Sequence, residues 1–336
     1  MATRGPAART SATVPETMKA AAIDRFGPPE VLKVHVVPVP EPDATEVLIA
    51  LHAAGVRSWD AKIRDGTWAT GDERFPLVLG TDGAGFVVAR GSRVRRFGIG
   101  DRVWSYAWAN PKGGFYAEYV AVDAEQVGSV PRRLDLLQAG AAATTGLTAL
   151  QGIDDVLRVR QGETVLVFGA SGGVGTLAVQ FARWRRVRVL GTATGRAAVT
   201  LVRRLGAGAV IDGRSDDAIE RLEALAPDGI DAVLALAGGD VLEQCLELVR
   251  AGGRVAYPNG VEPVPRRRRR LSVMAYDAVA GRRELARLEH AVEQARLEVP
   301  IAARYPLGRA AAAHARLERG HVLGRIVLQT RRSEPP

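Results

Sequence analysis

Residues 165–183, VLVFGASGGVGTLAVQFAR, crowd four glycines between an apolar run and a segment with helical periodicity. Gly169, Gly172 and Gly175 are spaced Gly-x-x-Gly-x-x-Gly, with Gly173 added. Without Cβ atoms, such a turn lets backbone N–H groups at a helix start touch a diphosphate, and the helix dipole adds partial positive charge. One or two glycines would suffice for a bare strand-to-helix turn. Residues 169–175, Ser171 and Val174 included, are therefore read as a dinucleotide cradle.

An NAD site usually carries Asp or Glu at the end of its second strand, about twenty residues further on. Here that place reads VLGTATGR (189–196) and holds no acid. Thr192 and Thr194 offer hydroxyls, and Arg196 offers a charge-assisted pair of about 1.5–3 kcal/mol to a 2′-phosphate. NADPH is the expected cofactor. The competing reading of Arg196 is an exposed residue in an arginine-rich chain.

These residues need elements to hold them. At 336 residues the chain exceeds one ordinary core and predicts two domains. From Met18 to about Val122, short apolar or alternating runs between Pro, Gly and Asp predict a strand-rich, partly open barrel. Near Leu136 the pattern becomes helical and then alternates strictly. Strands read at 164–169, 187–192, 209–212, 229–237 and 253–258, with helix-length segments between them. Continuous apolar strands between amphipathic helices predict a parallel sheet covered on both faces. RLSVMAY is a possible sixth strand, a helix follows at about 281–297, and PIAARYPL and GRIVLQT read as returning strands.

Composition limits the function classes. No run of eighteen apolar residues exists, so no transmembrane helix is expected. The single cysteine, Cys245, sits among helix apolar positions as a core filler, which excludes a disulfide framework or a cysteine zinc cage and fits the cytoplasm. The net charge of +9 comes almost wholly from arginine, with lysine only at 19, 33, 62 and 112. The concentrated block is RRRRR at 266–270. It could grip phosphates, yet it lacks interleaved aromatics and reads as a solvated loop. Residues 1–17 read as a disordered extension.

The chain from Met18 resembles the medium-chain dehydrogenase/reductase superfamily, in its zinc-independent quinone oxidoreductase (ζ-crystallin-like) branch. The resemblance is carried by AAGVRSWDAKIRDG (53–66), PLVLGTDGAGFVVARGSRVRRFGIGDRV (76–103) and GGFYAEYVAV (113–122). GLTAL (146–150), the glycine turn and GHVLGRIVL (320–328) complete it. It implies an α/β chain with a GroES-like β-rich catalytic domain (18–137 and 281–336). A doubly wound Rossmann NADPH-binding domain (138–280) would be inserted in it, with the active cleft between the two and homodimers common. It also implies cofactor contacts at Thr148, Gly172–Val174, Thr194, Arg196, Asn259 and Gly260, with Arg325 in place of a frequent lysine.

Zinc-dependent relatives carry Cys after AGV and His-Glu after Leu-Gly; here Arg57 and then Thr81-Asp82 stand there, so no metal is expected. Alcohol oxidation, which needs the metal to lower the alcohol pKa, recedes. Hydride transfer to a quinone or an α,β-unsaturated carbonyl needs only a donor for the developing oxyanion and a proton source. The resemblance puts Arg57, Trp59 and Asp60 at the nicotinamide side, with Arg57 replacing a usual Asn. Trp68 replaces a substrate-facing tyrosine, leaving Tyr106 and Tyr116 as phenols. Two alternatives stay open. One is a pathway-specific enoyl or enone reductase in which Arg57 anchors an acidic substrate. The other is a non-catalytic NADPH-binding sensor or nucleic-acid binder using the arginine block.

Overall fold

In the computed structural model, which describes residues 14–330 apart from 70 and 109, the alternating runs near the start become strands. β1 (Thr17–Ile23), β2 (Lys33–Pro38) and β4 (Leu77–Val78) form a small antiparallel sheet in the order β2-β1-β4. The extension expected over 1–17 lies outside the described residues up to 13, and Thr17 already opens β1.

A larger sheet grows around β3 (Glu46–Val56), which leads into α1 (Ser58–Arg64). It takes in β5 (Asp82–Arg90), β6 (Arg102–Tyr106), β7 (Tyr119–Asp123) and β8 (Val127–Ser129), all antiparallel to their neighbours. α2 (Leu136–Gln151) then starts with a capping box: Asp135 Oδ1 accepts from Gln138 N–H at 2.7 Å, and Gln138 Oε1 accepts from Asp135 N–H at 3.2 Å. Its Ala, Gly and Thr side chains are almost all buried, and the helix packs on β3 and β5 on one side and on a nucleotide-type domain on the other.

That second domain is a six-stranded parallel sheet. β9 (Thr164–Phe168), α3 (Gly173–Trp184), β10 (Arg188–Ala193), α4 (Arg196–Arg204) and β11 (Ala209–Asp212) form one half. α5 (Ala218–Leu225), β12 (Ile230–Ala235), α6 (Asp240–Glu247), β13 (Val249–Pro258) and β14 (Ser272–Tyr276) form the other. The order β11-β10-β9-β12-β13-β14 is the doubly wound Rossmann arrangement, with its switch point between β9 and β12. One face packs on α2, α3 and α4, the other on α5 and α6 around Leu222, Leu242 and Leu246.

The chain then returns. After α7 (Arg282–Gln294), β15 (Ile301–Pro306) and, beyond α8 (Ala310–Glu318), β16 (Arg325–Gln329) join the larger sheet, β16 antiparallel to β3. This return sets Arg325 beside Gly55 and His314 beside Arg64 and Tyr116. The described residues thus contain a GroES-like antiparallel part built from both ends of the chain and an inserted Rossmann sheet.

Two local readings change. α6 ends at Glu247 and β13 begins at Val249, four residues before the strand read from sequence. Two arginines of the block explain the stop, because Arg268 and Arg270 cap the helix end, while Arg266, Arg267 and Arg269 are exposed in the loop. Arg270 donates to the carbonyls of Leu246, Glu247 and Val249, and Arg268 pairs with Glu243 and Glu247 at 2.8 and 2.9 Å. Two guanidiniums satisfy the last carbonyls of α6 and offset its dipole.

Candidate active site

The glycine turn leaves β9 through Gly169, whose φ of 85° favours glycine, and Gly172 caps α3 in an extended conformation. Gly169 N–H donates to Thr192 Oγ1 at 2.9 Å, tying the turn to β10. An added Cβ at Gly175 would run into the Gly169 carbonyl, so helix and strand meet only with glycine there. The first amides of α3, from Gly173 onward, have no carbonyl within the helix to bond.

Arg325 lies directly on this turn. Its Nε donates to Ala141 O at 2.9 Å, its Nη2 has no partner, and only 6% of the residue is exposed. A Cβ on Gly173 would come 2.7 Å from Arg325 Nη1. Burial pushes this guanidinium down to about 10. A buried guanidinium with Nη1 beside the free amides of the helix start is a donor set that could hold a coenzyme diphosphate. The surrounding cleft, about 480 Å³, runs from Gly172, Gly173 and Val174 past Thr148 to Asn259, Gly260 and Arg57.

On the far side of the turn a second cavity, about 290 Å³, is lined by Ser171, Thr192, Thr194 and the 237–241 loop. Arg196 opens α4 from an exposed position and is not among the lining residues. An acid does stand nearby, one strand over. Asp212, at the end of β11, accepts from Gly195 N–H at 3.0 Å and from Arg214 N–H at 3.1 Å, which holds its carboxyl below the usual range. Both oxygens are thus engaged by the backbone. The Arg214 side chain reaches His321 Nε2.

At the other end of the main cleft, Arg57 caps α1 and is 2% exposed. Its Nη2 pairs with Asp82, itself fully buried, while Nε and Nη1 meet no partner. The guanidinium lies 5.2 Å from the Trp59 ring centroid. Burial, then repulsion from Arg325, lowers it to about 9.

Asp60 stands behind Arg57, fully buried. Its Oδ2 accepts from Arg57 N–H and from Tyr116 O–H, both at 2.9 Å. Burial pushes its carboxyl up to about 6, against the pull of Arg57 and the Tyr116 hydrogen bond. The network continues inward: His314 Nε2 lies 3.1 Å from Tyr116 Oη, and Arg64 Nη1 lies 3.0 Å from His314 Nδ1. Arginine can only donate, so Nδ1 accepts and the ring proton sits on Nε2. Burial and Arg64 hold His314 down to about 3, hence neutral. Asp60 and Tyr116 therefore position α1 and do not line the cleft.

A third cavity, about 420 Å³, shares Trp59, Trp68, Thr148, Pro258 and Asn259 with the cleft and adds Tyr106, Trp108 and Asp277. Trp59 Nε1 donates to Thr81 Oγ1 at 3.1 Å, and Trp59 and Trp68 each meet Trp108 edge-to-face at 6.2 Å. Burial raises Tyr106 above its ordinary value, so its phenol stays protonated. Only Trp104, of the tryptophans in this part of the chain, is a core filler at 0% exposure.

The alcohol dehydrogenase GroES-like domain family matches residues 43–132, and the zinc-binding dehydrogenase family matches residues 205–328. The quinone oxidoreductase of Mus musculus is 32% identical over 317 residues, 90% of this chain and 95% of that protein. The solved quinone oxidoreductase of Coxiella burnetii superposes with a TM-score of 0.84 at 32% identity, covering 94% of this chain and 100% of its own. This chain belongs to the medium-chain dehydrogenase/reductase superfamily, in the quinone oxidoreductase branch. The quinone oxidoreductase of Escherichia coli complexed with NADPH gives a TM-score of 0.84 at 25% identity over 93% of this chain and 100% of its own.

One matching family of this superfamily is described as zinc-binding, and the residues here do not fit zinc. Arg57 has no lone pair to offer, and its guanidinium already lies against Asp82. Among the described residues no group of three or more His, Cys, Asp or Glu could hold a metal.

The glycine turn, Thr148, Asn259, Gly260, Arg325, Arg57 and Trp68 meet in one cleft; Tyr106 joins from the adjoining cavity; Ser171 and Thr194 lie at the second. Sequence reasoning missed Asp212 and Asp277 as neighbours of these sites, whereas Trp108 is among the tryptophans whose concentration in the first domain hints at a flat substrate. The pairing of Ala193 with Asp212 across β10 and β11 was the available signal for the first.

Proposed function

We propose that this oxidoreductase is an NADPH-dependent, zinc-independent reductase that transfers hydride to a quinone or an α,β-unsaturated carbonyl. The observation that carries the reading is the meeting of two cavities at Thr148, Pro258 and Asn259. Arg57, its guanidinium buried in the wall, lines one, and Tyr106 lines the other. NADPH, when bound, supplies the hydride. Arg57, on turning its free N–H groups from the wall toward the cleft, would hold the oxyanion that develops on the substrate carbonyl, and such donors are worth about 2.7–4 kcal/mol each. Tyr106 would give the proton. Thr148 is itself held in place, its hydroxyl donating to Thr144 O at 2.9 Å and its carbonyl accepting from Tyr276 O–H at 2.8 Å.

The phosphate end supports a nicotinamide coenzyme, with the diphosphate on the α3 amides and Arg325. NADPH over NADH is supported by the absence of acid in 189–196 and by the engagement of both Asp212 oxygens. Arg196 and Arg214 flank the same end, and the E. coli neighbour was solved with NADPH. No helix of the described residues is long and apolar enough to cross a membrane. The free, buried Cys245 is in keeping with a cytoplasmic place. The outer edge of β14 pairs with no strand among the described residues, and a second copy aligned there would give a homodimer.

The test is loss of NADPH absorbance with a panel of quinones and conjugated enones. Turnover of either class with NADPH, and at least tenfold less with NADH, is the expected result. Tight NADPH binding without turnover of any ring or enone would overturn the reading in favour of a binder.

A further inference from the structure

The cavity that meets the coenzyme cleft has walls of an unusual kind. Trp59 is fixed by its bond to Thr81. Trp68 is clamped between Lys62, 5.0 Å from its centroid, and Gly260, where an added Cβ would lie 3.0 Å from Cη2. Trp108, 46% exposed, closes the third side at the mouth. Indole faces are electron-rich and attract cations. Asp277, just past β14, is the one lining residue with a formal charge among the described residues. Its Oδ2 accepts from Asn259 Nδ2 at 2.7 Å, and no hydrogen bond to Oδ1 is formed among the described residues.

Two of the three cations that line the adjoining cleft are already matched, and the third, Arg325, lies on the glycine turn and does not line this cavity. Arg57 pairs with Asp82 and is 2% exposed, and Lys62 pairs with Glu262 at 3.1 Å. The uncompensated charge at the mouth is therefore negative, on a carboxylate set among π faces. We infer that this slot selects its substrates by charge: it takes flat aromatic rings that carry a positive charge or a hydrogen-bond donor on the edge away from the reacting carbonyl, and it disfavours anionic ones. The inference rests on the reductase reading for the chemistry of the ring. It runs opposite to the acidic substrate that Arg57 alone would imply.

The experiment uses three naphthoquinones of like size, with a trimethylammonium, a neutral and a sulfonate side arm. Binding is read by quenching of tryptophan fluorescence in the coenzyme-free protein, and kcat/KM is read separately with NADPH. One attraction and one repulsion across solvent, each modest, predict that the cationic ring binds about tenfold tighter than the sulfonate at low salt. High salt should compress that ratio. Asp277→Asn should bring it near twofold or less, Asp277→Glu should retain it, and Trp108→Ala should weaken all three rings. Because the readout is a ratio within one variant, a general loss of fold cancels.

Equal binding of the three rings by the unaltered protein, or a preference that survives Asp277→Asn, overturns the inference even if quinones are reduced. A charge preference in quenching without NADPH consumption supports the slot and overturns the reductase reading instead.

Discussion

Replacing Arg57 by Met removes one member of a buried ion pair. Asp82 would keep a single hydrogen bond, from Thr144 N–H at 3.1 Å, with both carboxylate and helix backbone shielded from water. Breaking such a pair costs about 3–5 kcal/mol. The lower end applies here, because removing Arg57 also relieves its repulsion with Arg325. Against a total stability of about 5–15 kcal/mol this is a large loss, easily seen as a shifted urea midpoint. The double variant Arg57→Met/Asp82→Asn removes the orphaned charge and leaves the amide oxygen to accept from Thr144. It should recover most of the lost stability. Catalysis should not recover with it: losing the oxyanion donor predicts a kcat about 10²–10³-fold lower in both variants, with KM for NADPH little changed. A double variant as fast as the unaltered enzyme would refute the placing of the oxyanion at Arg57. A single variant as stable as the unaltered protein would refute the ion pair.

The buried network behind α1 predicts two opposed pH effects. His314, at about 3 in the fold against 6.5 unfolded, contributes stability that is lost as pH falls from about 6.5 toward 3; Asp60, raised from 3.8 to about 6, contributes in the opposite sense, its share lost as pH rises through that window. Asp60→Asn should therefore steepen the acid loss between about pH 6 and 4, and an unchanged slope in urea midpoints against pH would contradict the assignment. Arg325→Met should weaken NADPH binding about 10–100-fold by calorimetry, while the coenzyme-free protein melts no lower, since an unmet buried cation has gone. Arg270→Gln should cost about 1–2 kcal/mol by uncapping α6, whereas Arg267→Ala and Arg269→Ala should each stay within about 0.5 kcal/mol; a strong effect of the latter two would revive a ligand role for the block.

What the sequence disclosed follows from range. The glycine turn, the strand–helix alternation and β14 are written in neighbours a few residues apart, and each reads correctly from periodicity and spacing. The early start of β13 is not, because the residue that ends α6 is Arg270, twenty-three positions beyond Glu247. Asp212 escaped because the acid sought at the end of β10 stands on the neighbouring strand. His314 and Arg64 are 250 positions apart, and only the return of β15 and β16 to the first domain brings α8 against α1. The tryptophan slot was half legible: the indoles were countable, while their division into one core filler and three wall residues is decided by the fold.

The position of Arg57 also bears on which reactions this cleft can run. A metal at this place lowers the pKa of a bound hydroxyl by many units toward neutrality, which is what alcohol oxidation demands. A guanidinium supplies hydrogen bonds of about 1.5–3 kcal/mol to a charged oxygen, far short of that. A conjugated carbonyl asks for less, because its oxygen gains charge only as hydride arrives, and a fixed donor worth about 2.7–4 kcal/mol already acts at that moment. In this fold Asp82 and the Trp59 face hold the Arg57 guanidinium inside the wall, so on the proposed reading it must turn toward the cleft to meet that charge. On the proposed reading, the same cation is too weak for alcohol oxidation and sufficient for reduction of a conjugated carbonyl.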